Sequence, residues 1–250
     1  MISKNQIKFI KSLQLKKYRK EEQCFVVDGE KGVKEVLNSD FQIVMLLFTE
    51  SFGEKQEGIL RDVNADKLIV SEKQLAQLSS FQSNESVLAV VRQKPNQLPA
   101  LEHNEFILAL DDIRDPGNLG TIIRTADWFG IRKIIASEQT TDCYNPKVVN
   151  STMGSFTRVQ VGYGNLLEVI PQWEASVYGT FMEGEDVHSK SFEKRGVIVI
   201  GNEANGISAE IQSLITDKIT IPGAKGAESL NAAVATGIVL DNWSRLTLKE

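Results

Sequence analysis

The chain has 250 residues, 42% of them hydrophobic and 24% charged, with a net charge of −5. This is a globular composition, long enough for one large domain or two ordinary ones, and no internal repeat or low-complexity segment interrupts it. Cys24 and Cys143 are far apart and form no CxxC, no apolar run reaches the length of a membrane span, and no apolar core of a signal peptide follows the first lysines. Those features exclude a disulfide framework and a cysteine-held metal, and the expectation is a cytoplasmic protein with no membrane and no metal.

The charge is uneven. Residues 1–20 carry Lys4, Lys8, Lys11, Lys16, Lys17, Arg19 and Lys20 and no acid, which leaves the other residues at −12. Such a stretch is either the footprint of phosphate contact or the solvated face of a helix. It reads as one helix, with Ile7, Ile10 and Leu13 or Leu15 on a weak apolar side. Cys24 to Val27 reads as a strand ending at Asp28-Gly29, Lys31 to Leu37 as a helix, and Ile43 to Phe48 as a continuous apolar strand. Residues 51–64 are polar and give no clear period. Lys67 to Val70 is a strand, Ser71 caps a helix with Gln74 at the capping-box position, and Val87 to Val91 is a further strand. This is a small α/β domain over residues 1–94. Two prolines, Pro95 and Pro99, mark a linker at 95–102, and a second domain follows over 103–250.

The second domain opens with an apolar strand, Phe106 to Leu110, and a turn at Pro116-Gly117. Asn118 is placed to cap a helix opening at Leu119, whose inward face is Leu119, Ile122, Ile123, Ala126 and Phe129 and whose polar side holds Thr121, Arg124, Thr125 and Trp128. Gly130 ends it and Lys133 to Ala136 is the next strand. Then come a helix at Lys147 to Met153, a strand at Phe156 to Val161, a helix at Leu166 to Trp173, a strand at Ser176 to Thr180 and a loop, Phe181 to Gly184. Gly196 to Ile200 is apolar on both faces, as buried parallel strands are. It runs into Gly201-Asn202-Glu203-Ala204-Asn205-Gly206 and a helix from Ser208. Lys218 to Ile221 is the last strand, Pro222 to Gly226 its loop, and a final helix from about Ser229 to Leu246 buries Leu230, Ala233, Val234, Gly237 and Ile238.

Three strand-end loops, at 115–120, 201–206 and 222–231, are rich in small residues and precede helices. Each alone is a tight turn; three in one parallel sheet point to a nucleotide-like ligand approached by backbone. No GxGxxG follows a strand, no GxxxxGK[ST] and no GxSxG elbow exist, and His103 and His188 stand alone. That disfavours a nicotinamide oxidoreductase, a P-loop enzyme and a serine hydrolase. The polar equipment left is Asn118, Arg124, Glu203, Ser229 and Asn231.

Asn118-x-Gly120-x-x-x-Arg124, Gly201-x-Glu203-x-x-Gly206 and Ile221-Pro222 followed by Ser229-Leu230-Asn231 resemble the three ordered motifs of the SpoU (TrmH-type) family of SPOUT RNA methyltransferases. The likeness covers about residues 106–240. It departs at Gly223, where the family often has Met, and at Ala232-Ala233, where it often has Val-Ser. The first domain is similar to the ribosomal-protein-like substrate domain of such enzymes. The resemblance implies a C-terminal parallel-sheet α/β domain with a deep trefoil knot, an exception to the rule against threading. It implies a homodimer, S-adenosylmethionine as cofactor and methyl transfer to a ribose 2′-hydroxyl. By position, Gly201, Ile221 and Leu230, with Thr180 and Met182, would hold the cofactor; on the charge pattern of residues 1–20, Lys16, Lys17, Arg19 and Lys20 would contact RNA. Arg124 would be the catalytic residue, with Asn118, Glu203, Ser229 and Asn231 shaping the site. A guanidinium stays protonated in proteins. Two roles for Arg124 therefore stand open: proton removal assisted by an RNA phosphate, or orientation and stabilisation of the developing alkoxide. The separate substrate domain favours 23S ribosomal RNA; a tRNA 2′-O-methyltransferase and a noncatalytic RNA-binding protein are the alternatives.

Overall fold

The computed structural model describes residues 2–79, 86–224 and 229–247, the side chains of 246 and 247 excepted. Lys225 and Gly226 of the expected last loop lie outside the described residues. In chain order the elements begin α1 (Lys4–Ser12), α2 (Lys16–Glu22), β1 (Cys24–Asp28), α3 (Glu30–Leu37), β2 (Ile43–Phe48), α4 (Glu50–Lys55), α5 (Glu57–Arg61), β3 (Asp66–Ile69), α6 (Glu72–Leu78) and β4 (Val87–Arg92). They continue as β5 (Phe106–Leu110), α7 (Pro116–Trp128), β6 (Lys133–Ala136), α8 (Pro146–Ser151), β7 (Gln160–Tyr163), α9 (Leu166–Val169), β8 (Ser176–Asp186), β9 (Gly196–Ile200), α10 (Ala209–Gln212), β10 (Asp217–Thr220) and α11 (Ala232–Thr247).

The chain forms two compact units. One is Met1–Pro95 with Asp142–Thr157; the other is Asn96–Thr141 with Arg158–Glu250. The segment carrying α8, which the sequence places in the second domain, thus packs with the first.

The first unit is a mixed sheet in the order β1-β4-β2-β3. The strands alternate with period two, so each face carries its own core. Phe25, Val27, Leu46, Val87, Ala89 and Val91 meet Val33 and Val36 of α3, Phe52 and Leu60, together with Val149 and Phe156 from the inserted segment. Cys24, Val26, Met45, Leu47, Leu88 and Val90 meet Ile10, Leu13, Leu75 and Leu78 on the other face. Tyr144 of the segment lies 4.5 Å from the Phe25 ring and accepts from the Lys94 N–H at 3.1 Å; burial pushes its phenol pKa up. The Ser71 capping box with Gln74 is present.

The N-terminal helix expected to be single is two. Leu13–Leu15 break it, and the reason is Arg19. This residue is 2% exposed, and its Nη1 donates to the carbonyls of Leu13 (3.0 Å) and Gln14 (2.9 Å), groups the end of α1 leaves without helical partners. Its Nη2 and Nε donate to Asp142 Oδ2 at 2.7 and 3.0 Å. Arg19 is therefore an internal strut, and its assignment as an RNA contact is corrected. Lys16, Lys17 and Lys20 are exposed.

The second unit is a six-stranded, all-parallel sheet in the order β10-β8-β9-β5-β6-β7. One face (Ile107, Ala109, Ile135, Val177, Val197, Val199) is covered by Leu166, Val169, Ile170, Trp173 and Ile211. The other receives α11, whose Trp243 ring sits 5.2 Å from Phe106. α11 in turn packs on α7, with Gly237 facing Thr125. The inward stripe of α11 is Ala232, Thr236, Val239, Leu240 and Trp243, at 3.6-residue spacing. Thr236 can sit inside because its hydroxyl donates to the Ala232 carbonyl at 2.7 Å. The expected stripe is thereby corrected: Leu230 and Val234 are exposed.

Residues 96–99, expected to be a linker, are laid against edge strand β7. Asn96 donates to Tyr163 O (2.9 Å) and accepts from Tyr163 N (2.8 Å). A Cβ on Gly162 would meet Gln97 O at 2.4 Å. The strand expected at Phe156 starts only at Gln160, after a 3-10 turn at Ser155–Thr157.

Candidate active site

The site is built from loops at the carboxyl ends of the parallel strands. After β5, Asp111 is buried and Asp112 takes φ +58°, a conformation that Asp tolerates better than most residues. The loop is pinned from the β6 side, where Ser137 Oγ accepts from Asp112 N at 2.9 Å and Thr140 Oγ1 from Ile113 N at 3.1 Å. α7 then starts at Pro116. Asp115 is its cap, accepting from Asn118 N at 2.8 Å, and Pro116 takes the first position, where its missing N–H costs nothing. The expected cap at Asn118 is one turn late, and this frees the Asn118 side chain for the site. α7 buries Leu119, Ile122, Ile123 and Ala126 as expected and ends on Gly130 at φ +82°.

Asn118 Nδ2 donates to Glu203 Oε1. Asn118 Oδ1 accepts from Asn231 Nδ2 at 2.9 Å. Asn231 itself caps α11, its Oδ1 accepting from Ala233 N (3.0 Å) and Val234 N (3.3 Å). One residue from each motif thus meets in a single chain of hydrogen bonds. Arg124 lies farther along α7, exposed, and no bond among the described residues claims its guanidinium. Ser229 and Leu230 are exposed beside Asn231, the latter by 46%.

Of the residues assigned to the cofactor, Thr180 and Met182 lie on β8, Gly201 and Ile221 directly follow β9 and β10, and Leu230 precedes α11. β8 is longer than expected. It runs to Asp186 and pairs with β10 in two stretches, Tyr178 and Gly179 with Asp217 and Lys218, then Glu185 and Asp186 with Ile219 and Thr220. Residues 180–184 are the extra length between them, so the expected Phe181–Gly184 loop is a bulge. Thr220 Oγ1 donates to Met182 O at 3.1 Å and Thr180 Oγ1 to Val199 O at 3.2 Å, which tie the bulge to both neighbours. Lys190 clips it shut through Glu185 (2.8 Å) and Asp217 (2.6 Å). These bonds hold the ammonium above its ordinary pKa, and the Lys190 bond holds the Asp217 carboxyl below its own. Met182 is 68% exposed and Ile221 half-buried.

Gly201 is required for a reason in addition to the expected one. A Cβ there would meet Gly206 C at 2.3 Å and Ile207 N at 2.4 Å, both atoms of the same loop. Gly201→Ala is therefore expected to destabilise the protein by about 1–3 kcal/mol, the usual range for overpacking. Thermal unfolding without any ligand measures this, and an unchanged Tm contradicts it.

Sequence reading missed Asn202, Asp111 and Asp115. Asn202 carried a signal, an Asn opening a tight loop with Gly206 four residues on. A cleft of about 680 Å³ also opens beside Asp111 and Asp112, but Glu138, Glu168 and Glu210 line it as well. That wall repels phosphate, and none of Asn118, Arg124, Glu203, Ser229 or Asn231 belongs to it.

The model of the SpoU rRNA Methylase family matches residues 105–241, and that of the MRM3-like substrate binding domain matches residues 4–89. A 23S rRNA (guanosine(2553)-2′-O)-methyltransferase from Bacillus subtilis is 29% identical over 95% of this chain and 96% of its own. A 23S rRNA (uridine(2479)-2′-O)-methyltransferase from Streptomyces viridochromogenes is 30% identical over 86% of this chain and 80% of its own. The crystal structure of an AdoMet-bound rRNA methyltransferase from Sinorhizobium meliloti superposes with a TM-score of 0.88 at 31% identity, covering 100% of this chain and 98% of that one. With motif residues from three loops joined in one network and the family model matched across them, the chain belongs to the SpoU rRNA methylase family.

Proposed function

We propose that this protein transfers a methyl group from S-adenosylmethionine to a ribose 2′-hydroxyl of 23S ribosomal RNA, in the cytoplasm and as a homodimer with a trefoil-knotted catalytic unit. The observation that carries the reading is the Asn118–Glu203–Asn231 network, with Arg124 on the same helix as Asn118 and unpaired among the described residues. Full-length similarity to 23S rRNA enzymes, through the substrate-binding region as well, supports the ribosomal target.

The residues present fit the cofactor. An adenosine and a methionine chain need apolar contact and backbone polar groups, and the carboxyl ends of β8, β9 and β10 with the start of α11 offer both: Met182, Ile221 and Leu230 are not fully buried, and the loops supply main-chain groups. Bound there, the sulfonium supplies an activated methyl group. The protein's work is then alignment. Glu203, Asn118 and Asn231 fix one another and the loop positions around them. The 2′-hydroxyl gives up its proton to a neighbouring RNA phosphate and from there to water, while Arg124, itself staying protonated, binds the nucleotide and stabilises the negative charge that grows on the 2′-oxygen. Ser229, exposed next to Leu230, belongs to the same loop end.

Mapping 2′-O-methyl positions in ribosomal RNA and tRNA from cells with and without the protein tests the reading. Loss of one site in 23S rRNA is expected; loss of a tRNA site overturns the target, and no loss together with no cofactor binding overturns the enzyme.

Lys16, Lys17 and Lys20 are proposed to hold RNA phosphates. Reversing all three to Glu should weaken RNA binding and flatten its log–log salt dependence by roughly 0.7–0.9 for each phosphate no longer neutralised. An unchanged slope by titration across salt would make this helix merely a solvated surface.

The homodimer reading rests on apolar side chains left outside on α7 and α11: Trp128 is 84% exposed and Val234 52%. Ala232 and Ala233, at the start of α11, are buried within the unit and do not belong to this outer surface. A two-fold interface uses one self-complementary patch. Light scattering should give a dimer for the full chain and a monomer for Trp128→Glu; a monomeric parent contradicts it.

A further inference from the structure

The chemistry proposed above needs Glu203 held against Asn118, and the two sit on loops of different strands. Asn202, next to Glu203, joins those loops. Within its own loop, Asn202 N donates to Gly206 O (3.0 Å) and Gly206 N donates back to Asn202 O (2.8 Å). Asn202 Oδ1 accepts from Ala204 N (2.9 Å) and Asn205 N (3.2 Å). The amide's other end leaves the loop. Nδ2 donates to the backbone oxygen of Asp112 at 2.8 Å, with Asp112 Oδ2 at 3.5 Å. A second tie runs alongside, from Ser208 N to the buried Asp111 carboxylate at 2.7 Å.

The place of these ties is informative. β5 and β9 are neighbours whose onward connections leave in opposite directions, β5 to β6 and β9 past β8 to β10. The crevice between two such strands is where open α/β sheets usually bind a ligand. Here the Asn202 carboxamide and the Asp111 carboxylate bridge it. We propose that Asn202 is a positioning residue for methyl transfer: its carboxamide locks the Glu203 loop to Asp112 and so sets Glu203 against Asn118. This rests on the functional reading above.

Asn202→Asp separates the two uses of the side chain. The isosteric carboxylate keeps the acceptor for Ala204 and Asn205 but loses the donor to Asp112. The charged groups around position 202 are Asp112, paired with Arg114 at 2.8 Å, Asp111, which accepts from Ser208 N, and Glu203, which accepts from Asn118. The expected result near pH 8 is a kcat lower by about ten- to a hundredfold, since an angstrom of misplacement costs that much, with cofactor affinity and the KM for RNA within a few-fold. Protonating the introduced carboxyl restores an O–H donor. The neighbouring Asp112 raises its pKa, so the variant-to-parent ratio should climb as pH falls, whereas Asn202→Ala should show the loss with no recovery. A parental kcat in Asn202→Asp, or a deficit that stays constant with pH, overturns the proposal. A parent protein that methylates no RNA overturns the functional reading instead. Amide exchange then decides the tie: loosening of residues 111–115 together with 202–206 in Asn202→Asp supports it, and loosening of 202–206 alone overturns it.

Discussion

Arg124→Ala is expected to lower the single-turnover rate of methyl transfer by about a hundred- to a thousandfold, the range seen when a preorganised charge-stabilising donor is removed. Cofactor affinity should stay within a few-fold. The separation follows from position. Arg124 stands six residues after Asn118 on α7, roughly 9 Å along the helix axis, whereas the residues fitted to the cofactor lie on β8, β9, β10 and the start of α11. Its guanidinium is exposed and holds no structural bond among the described residues, so the variant should unfold where the parent does. Arg124→Lys keeps the charge but not the planar fork, and should recover only part of the rate. A near-parental rate in the alanine variant rejects the role. A cofactor defect as large as the rate defect moves Arg124 to the binding side.

The sheet architecture of the second unit was legible because buried parallel strands are short apolar runs, and Phe106–Leu110, Lys133–Ala136 and Gly196–Ile200 stand where the sequence places them. Ends of elements were less so. α7 begins three residues early because Asp115 and Pro116 together make a better start than Asn118 does. α11 is turned from its expected face because Thr236 satisfies its own hydroxyl and so packs like an apolar residue. β8 is longer because its second half is held by β10, a partner distant in sequence, with Lys190 tying the two together.

The candidate site shows the same division. That Asn118, Glu203 and Asn231 belong together was readable from the order of the motifs; how they are held was not. Gly201 stands out in the sequence as a place for ligand approach, but nothing local in it shows that the loop's own closure needs a glycine there. Asn202 was passed over between two motif positions, though its side chain makes the bridge between the strand ends. Hydrogen bonds across 90 residues leave no local pattern in a sequence.

Arg19 is the sharpest instance, and its removal should have the largest effect on stability. Among seven basic residues in the first twenty it is indistinguishable from its neighbours, and what sets it apart is Asp142, 123 residues away, together with the carbonyls at the end of α1. Arg19→Ala is expected to destabilise the first unit by about 3–5 kcal/mol, the cost of breaking a buried pair from one side. It strands the Leu13 and Gln14 carbonyls at the end of α1 and leaves the Asp142 carboxylate, 15% exposed, without its counter-ion. Arg19→Met, which keeps the stem but no donor, should be nearly as costly, because desolvated acceptors and not lost volume dominate. Arg19→Glu sets two carboxylates together and should be worse than either. Reversing Lys16, Lys17 and Lys20 should shift stability by no more than about 0.5 kcal/mol, as exposed sites do. Denaturant unfolding of the full chain separates these, and RNA binding measured on the same proteins completes the comparison. The three lysines should change RNA affinity at constant stability, and Arg19 should change stability first. An Arg19→Ala protein with the parental denaturation midpoint and weakened RNA binding would return Arg19 to the RNA surface.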